Sequence, residues 1–470
     1  MKYSVIPSAQ SLVAHCKAKG IQNIVISPGS RNAPLIIGFS EDSYFSCYSI
    51  VDERCAAFFA LGMAQQSKIP VVLICTSGSA LLNYYPAVAE AFYSRVSLLI
   101  LSADRPSYKI DIGDGQTIRQ ENVFQNHILG SHSLQQDVAH ATETIRKYAP
   151  DMLVGEDLDK EQQQIQAYND ARLNEAMEIV FHKKGPVHIN VPFEEPLYNT
   201  LSKPTVHPHI LRTSPSREVL PENLGELKEI WGKSLRKMIL VGVNPPEAID
   251  EGLLDMICRD PTIVVFTETT SNLYHPNLFP SIDMIIAPLE KSAKSEEHFR
   301  ELRPEVLITF GGLIVSKKIK AFLREFKPLH HWHIDPLRAF DTFFVLSQHV
   351  RQHPGTFLSE LPYHTTKQPY GAHWSKIRQK LRTLREKYLE QVPFSDMKAF
   401  YHMSRRVPNN YQLHLANSST VRYAQLFDWN PGIATYCNRG TSGIDGSTST
   451  ALGAALYYRY PTLLITGDLS

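Results

Sequence analysis

The residues with chemical potential in this chain cluster in loops of small side chains that follow apolar runs. Asn438, Gly440, Gly443 and Gly446 punctuate one such loop; a small-residue helix is expected from about Ser447, and an apolar strand from Pro461 to Thr466 ends in Gly467-Asp468. A helix N-terminus presents unpaired N–H groups and the positive end of its dipole, so a loop without bulk in front of it suits an anion such as a phosphate. Asp468 stands at the carboxyl end of an apolar strand, where open α/β sheets place their ligands, and a carboxylate there suits a hard cation shared with phosphate oxygens. The same residues also suit an ordinary strand–turn–helix unit, because glycine-rich loops recur without ligands.

Other strand ends deliver comparable loops. Ser27-Pro28-Gly29-Ser30-Arg31 follows one apolar run and Asp52-Glu53-Arg54 the next. On residue types alone Glu53 reads as a first-turn helix glutamate complementing the dipole. Thr76-Ser77-Gly78 opens a helix, as an anion contact or as plain N-capping. Ala103-Asp104-Arg105-Pro106 and then Gly115-Gln116-Thr117-Ile118-Arg119-Gln120 follow a further run. Later in the chain, Gly311-Gly312 leads to Ser316-Lys317-Lys318, which reads equally as a solvated helix face, and Asn417-Ser418-Ser419-Thr420-Val421-Arg422 as a helix cap followed by a surface arginine. Taken together, cations and small hydroxyls at strand ends in all three parts of the chain fit a composite pocket for a substrate bearing several carboxylates, beside a diphosphate.

These loops need strands to hold them. Ile21–Ile26, Tyr48–Val51, Val71–Cys75, Ser97–Ser102 and His188–Val191 read as strands, with helices at Arg54–Gln65 and Ala80–Tyr93 between them. Strands apolar almost throughout and separated by helices predict a parallel sheet covered on both faces. Proline-rich chain from Pro192 through Pro204, Pro208, Pro215 and Pro221 reads as a linker. Beyond it Met238–Val243, Thr262–Thr267, Met284–Ile286, Val306–Phe310 and His331–Ile334 form a second alternating region. A further boundary is expected near Leu361–Gly371, followed by strands Tyr411–Ala416 and Gly432–Tyr436 around a helix from about Ser418. At about 150 residues per domain, the 470 residues suggest three domains.

A composition of 43% hydrophobic and 20% charged residues with net charge +1 gives no electrostatic case for nucleic acid or an anionic membrane as partner. No run approaches the roughly 20 apolar residues of a spanning helix, and the start MKYSVIPSAQSLVAHCKAKG lacks a signal-peptide apolar core. Cys16, Cys47, Cys55, Cys75, Cys258 and Cys437 are scattered without a CxxC pair, and are expected to be buried free thiols in a reducing cytoplasm.

In order along the chain, ISPGSRNAPL, VDERCAAFFALGMA, TSGSALLNYYPAVAEA, LSADRP, QTIRQ, NVPFEEPLY, NSSTVR, NRGTSGIDG and ITGDLS resemble the motifs of the thiamine-diphosphate-dependent enzymes, most closely the branch that serves menaquinone synthesis. The resemblance implies a three-domain α/β architecture with parallel sheets flanked by helices: a pyrimidine-binding domain over 1–192, a central domain over 193–368 and a diphosphate-binding domain over 369–470. It implies a transferase that decarboxylates 2-oxoglutarate and adds the succinyl carbon to isochorismate, using thiamine diphosphate with Mg²⁺ or Mn²⁺. The cofactor lies between the first domain of one subunit and the third of its partner, so a cytoplasmic homodimer or homotetramer is expected. Rivals are a carboligase for a smaller 2-oxo acid and an inert α/β oligomerisation module.

By matched position, Glu53 becomes the catalytic acid that hydrogen-bonds N1′ of the cofactor's aminopyrimidine, reversing the helix-dipole reading. Thr76, Ser77, Gly78, Gly443, Ile444, Asp445, Gly467, Asp468, Leu469 and Ser470 join it around the cofactor, with Ile444 wedged beneath and Asp468 on the metal. Ser30, Arg31, Arg105, Gln116, Lys317, Ser418, Arg422 and Arg439 line the substrate pocket, and Lys318 stands where some relatives carry arginine. The family's motif continues past GDLS to an asparagine metal ligand and further strands. Residues 369–470 are therefore read as an incomplete domain that exposes a sheet edge, and the chain as part of a longer enzyme. The polypeptide as it stands is expected to bind cofactor weakly or not at all.

Overall fold

A computed structural model describes residues 2–155, 157–212, 221–365 and 368–470. The chain divides into two compact units, one of Met1–Ser216 with Gly440–Arg459 and one of Arg217–Arg439 with Tyr460–Ser470.

The first unit is built on six parallel strands in the order Ser46–Ser49, Asn23–Ile26, Val71–Cys75, Leu98–Asp104, Val187–Pro192, Gly130–Ser133. Val71–Cys75 and Leu98–Asp104 are buried at every residue, as expected of strands covered on both faces. Ile24, Val72, Leu99 and Ile189 face one apolar core and Val25, Leu73, Cys75 and Ile100 the other. That alternation is the period of two of an extended chain. The helix Glu53–Ser67 covers the second face, and Ser447–Ala455 packs on that helix within the same chain, whereas the resemblance places these first- and third-domain elements in different subunits.

The second unit holds five parallel strands in the order Ile263–Thr267, Lys237–Val241, Val306–Phe310, His330–Ile334, Leu346–Val350, again with a core on each face. A smaller parallel sheet orders Ala434–Tyr436, Gln412–Leu415 and Thr462–Ile465, with every residue of the last strand half-buried. Asn272 joins the two sheets of this unit: its amide nitrogen donates to Thr435 O at 2.9 Å, and its oxygen accepts from Thr435 N at 2.8 Å.

Several expectations are corrected here. Met284–Ile286 lies in a helix, Ile282–Glu290, whose buried residues Ile282, Ile285, Ile286 and Leu289 fall at helical spacing. The expected Ala80–Tyr93 helix is two helices, Ser79–Asn83 and Tyr85–Ser94, with the break just before Pro86. All six cysteines are free, but Cys47 and Cys55 are exposed rather than buried, on an edge strand and in the first turn of a helix, and Cys258 is half-buried. In the expected linker, Thr200–Leu201 pairs antiparallel with Tyr3–Ser4. Pro215 of that linker and Thr366-Lys367 of the expected second boundary lie outside the described residues. No helix among the described residues is long and apolar enough to cross a membrane.

Candidate active site

In the first unit, four loops open at the carboxyl ends of adjacent parallel strands, as the alternating pattern requires. Asp52 caps the helix that follows its strand, its carboxylate accepting from Arg54 N at 3.0 Å and Cys55 N at 3.2 Å. The Arg54 guanidinium beside Asp52 holds that carboxyl down at about 2. Glu53 therefore stands at the first helical position, partly buried, with the capping done by its neighbour. Its charge is felt below the Thr76–Gly78 loop by the Cys75 thiol and the Tyr84 phenol, both pushed up chiefly by burial and further by Glu53. Tyr84 donates to Ile74 O at 2.9 Å and meets the Ser27 hydroxyl at 3.2 Å, joining the first loop to the third.

A buried polar network supports the same loops. Gly78 N donates to Gln120 Oε1 at 2.9 Å; Gln120 Nε2 donates to Asn190 Oδ1 at 2.8 Å and Ser102 Oγ at 3.2 Å; and Asn190 Nδ2 donates to Asp104 Oδ2 at 2.7 Å. Ser102 Oγ meets His188 Nε2 at 2.7 Å, and burial pushes that imidazole down to about 3, so it is neutral across the working range. Burial also raises the Asp104 carboxyl, opposed by the Asn190 amide, the Arg105 N–H and the charges of Arg31 and Arg105. Of this set Gly78, Ser102, Asp104, Gln120 and Asn190 lie in sequence motifs and His188 does not, and no rule of spacing joins them.

The expected substrate residues of this unit sit around that network. Ser30 is exposed, whereas the Arg31 guanidinium is buried, donating to Phe193 O at 3.0 Å and pairing with Glu195 at 3.0 Å. Arg105 Nε donates to Gly115 O at 3.1 Å, and Gln116 is exposed with φ of 57°. Gly78 lies against the Gln116 backbone, with 3.2 Å between a built Cβ and its carbonyl oxygen. The Gly443–Gly446 turn is docked on the helix of Glu53: Gly446 has φ of 74°, and a Cβ there would overlap the Phe58 ring. Ile444 and Asp445 are exposed.

A diphosphate fits this turn. Ser447, the first residue of the nine-residue helix behind Gly446, is 5% exposed and its hydroxyl has no hydrogen-bond partner among the described residues. A buried hydroxyl without a partner costs stability unless a ligand or water satisfies it, and here it joins the orphan N–H groups of a helix start.

In the second unit, Ser418 is exposed with φ of 65° and caps the short helix Ser419–Ala424, which carries exposed Arg422. Asn417, buried and read from sequence only as part of a helix cap, accepts from Arg439 Nη1 at 2.6 Å and donates to Asn438 O at 2.7 Å. Lys317 is exposed at the start of Lys317–Glu325, and Lys318 pairs with Glu290. Asp468 and Leu469 are exposed after the last strand, and Ser470 N donates to Gly467 O at 3.4 Å. Among the described residues no three His, Cys, Asp or Glu side chains gather as a metal cluster.

Glu268, unforeseen from the sequence, is buried and accepts from Val315 N at 2.8 Å and Ser316 N at 2.7 Å, holding the loop before Lys317. Burial lifts its carboxyl from 4.5 to about 7 against those N–H groups and the charges of Arg439 and Lys320. Because the folded pKa lies above the unfolded one, the folded protein keeps a proton that the unfolded chain has lost between pH 4.5 and 7. Stability therefore falls with rising pH across that window, by on the order of 3 kcal/mol from this group. Thermal melts of wild type and Glu268→Gln over pH 4.5–8 check this, and the expected outcome is a flatter profile for the variant.

Family models match at two places. Residues 8–135 match the thiamine pyrophosphate enzyme N-terminal TPP binding domain, and residues 264–415 match the middle domain of thiamine pyrophosphate enzymes. Over 476 residues the chain is 51% identical to the 2-succinyl-5-enolpyruvyl-6-hydroxy-3-cyclohexene-1-carboxylate synthase of Flavobacterium johnsoniae, covering 100% of this chain and 80% of that protein. Identity to the synthase of Christiangramia forsetii is 50% over 473 residues, with the same coverage. To that of Porphyromonas gingivalis it is 38% over 466 residues, covering 96% of this chain and 76% of the relative. Sharing about half its residues with the first two of these relatives along its whole length, the chain belongs to the 2-succinyl-5-enolpyruvyl-6-hydroxy-3-cyclohexene-1-carboxylate synthase family of thiamine-diphosphate-dependent enzymes.

Proposed function

We propose that this protein is a thiamine-diphosphate-dependent transferase of menaquinone synthesis that decarboxylates 2-oxoglutarate and joins the succinyl carbon to isochorismate. The observation that carries the reading is the docking of the glycine turn, with its helix start and unpartnered Ser447 hydroxyl, on the helix that begins at Glu53. Its support from outside the structure is identity of about half over the full chain to synthases of that name.

When bound, thiamine diphosphate supplies the electron sink that lets a 2-oxo acid lose CO₂ and its remaining acyl carbon act as a nucleophile. Glu53 holds a proton at N1′ of the aminopyrimidine, a task for a carboxyl group kept from bulk water. Thr76, Ser77 and Gly78 would hold the pyrimidine, Ile444 would support the ring, and Gly443, Asp445 and the Ser447 helix start would receive the diphosphate. Asp468, with Gly467, Leu469 and Ser470, would hold Mg²⁺ or Mn²⁺, which would supply positive charge to offset that of the diphosphate. Ser30, Arg31, Arg105, Gln116, Lys317, Ser418, Arg422 and Arg439 orient and neutralise the carboxylates of the two substrates, which lowers the cost of bringing anions together. Domains over 1–192, 193–368 and 369–470, a homodimer or homotetramer, and a cytoplasmic location belong to the same reading.

The test is CO₂ release and ring-adduct formation by purified protein extended to the length of its relatives and supplied with thiamine diphosphate, Mg²⁺, isochorismate and either 2-oxoglutarate or pyruvate. Turnover only with 2-oxoglutarate and accumulation of the succinyl adduct are expected. Equal use of pyruvate, or no thermal shift with cofactor and metal, would overturn the reading. Mass measurement in solution with and without cofactor checks the oligomer.

A further inference from the structure

Glu90 is the only charged residue of the Tyr85–Ser94 helix, YPAVAEAFYS, and it is 1% exposed. A carboxylate in such a place is tolerated only when its oxygens are fully hydrogen-bonded. Its partners come from the far end of the chain. Oε1 accepts from Gly440 N at 2.7 Å, and Oε2 accepts from Thr441 N at 2.7 Å and Thr441 Oγ1 at 2.9 Å. Ser94 Oγ adds a bond to Oε1 at 2.6 Å. The turn is pressed against the helix as well: a Cβ on Gly440 would lie 2.6 Å from Glu90 O and 2.7 Å from Ser94 Oγ.

Gly440-Thr441 precedes the glycine turn, and only residues 442–446 separate it from Ser447, where the helix packed on Glu53–Ser67 begins. A five-residue segment fixed at both ends samples few conformations, whereas release of one end restores the entropy of a free loop. We propose that Glu90 is a positioning residue that clamps the Gly440-Thr441 backbone and so pre-orders the Gly443–Gly446 turn and the Ser447 helix start for the diphosphate of the cofactor. The proposal rests on the thiamine-diphosphate reading above. Because Glu90 acts through the turn and leaves Glu53 untouched, its removal weakens cofactor binding and leaves turnover at saturating cofactor nearly unchanged. A role in stability alone would lower the melting temperature without moving cofactor affinity.

The experiment compares wild type, Glu90→Gln and Glu90→Ala, each in protein extended to the length of its relatives, by calorimetric titration with thiamine diphosphate and Mg²⁺, and by amide exchange of a peptide spanning residues 438–446 in cofactor-free protein. In Glu90→Ala, exchange at Gly440 and Thr441 rises on the order of 10-fold, and Kd for the cofactor weakens by a similar factor, the loss expected for charge-assisted bonds to one carboxylate. Glu90→Gln keeps one acceptor and the side-chain shape, so it falls between wild type and Ala and answers the question should Ala fail to fold. Unchanged affinity in both folded variants overturns the proposal, whether or not the amides exchange faster. A wild-type protein that binds no thiamine diphosphate, while its Gly440 and Thr441 amides stay protected, overturns the functional reading and takes the proposal with it.

Discussion

In protein extended to the length of its relatives, Glu53→Gln is expected to lower turnover by roughly 10²-fold or more, the loss on removing a positioned acid–base group, while the folded protein persists. The reason for separating the two effects is Asp52. Its carboxylate already caps the helix through Arg54 N and Cys55 N, so Glu53 is left with the dipole interaction of a first-turn acid, worth about 0.3–1 kcal/mol. A fall of at least about 2.7 kcal/mol in transition-state stabilisation against less than 1 in stability is a separation steady-state kinetics and a thermal melt resolve together. An unaltered rate in the variant would return Glu53 to the dipole role that residue type alone suggests.

The second large effect concerns the helix crossing that carries the glycine turn. Gly453 of Ser447–Ala455 lies on the Phe59 backbone, and Gly62 of Glu53–Ser67 on the Thr450 backbone; a Cβ at either would overlap a carbonyl oxygen. In a free helix Gly→Ala stabilises by about 1 kcal/mol through propensity. Here the methyl group must separate two helix backbones, and overpacking of about 1–3 kcal/mol opposes that gain. Gly453→Ala is therefore expected to lower the melting temperature rather than raise it. Gly453→Val, with no propensity gain, costs about 3 kcal/mol or more and abolishes cofactor binding. Leu452→Ala, on the exposed side of the same helix, serves as control and should lie within about 0.5 kcal/mol of wild type. Melts of the three variants decide it, and a stabilised Gly453→Ala would show that the two helices do not touch as described.

Much of the fold was legible because buried parallel strands announce themselves. Val71–Cys75 and Val306–Phe310 match their expected limits to the residue, each an almost wholly apolar run closed by a polar or glycine loop. Gly130–Ser133, GSHS, gave no such signal: its neighbour in the sheet, not its own side chains, makes it a strand. Met284–Ile286 misled because three apolar residues in a row fit either period, and only Ile282 and Leu289 on either side reveal the helix. At the site, loop positions were readable since strand ends fix them. Which side chains reach across was not. Glu90 meets Gly440 across 350 residues of sequence, and Glu268 meets Val315 across 47, distances at which no local pattern operates. A lone acid in an apolar helix is nevertheless a signal that a partner must exist.

Assignment of Gly440–Arg459 to the first unit has a bearing on biosynthesis. As the nascent chain leaves the ribosome, Phe58, Phe59 and Gly62 emerge early, yet the segment that covers them is translated nearly 400 residues later. At about 5–20 residues per second that interval is tens of seconds, during which an apolar helix face stands uncovered and open to other chains or to a chaperone.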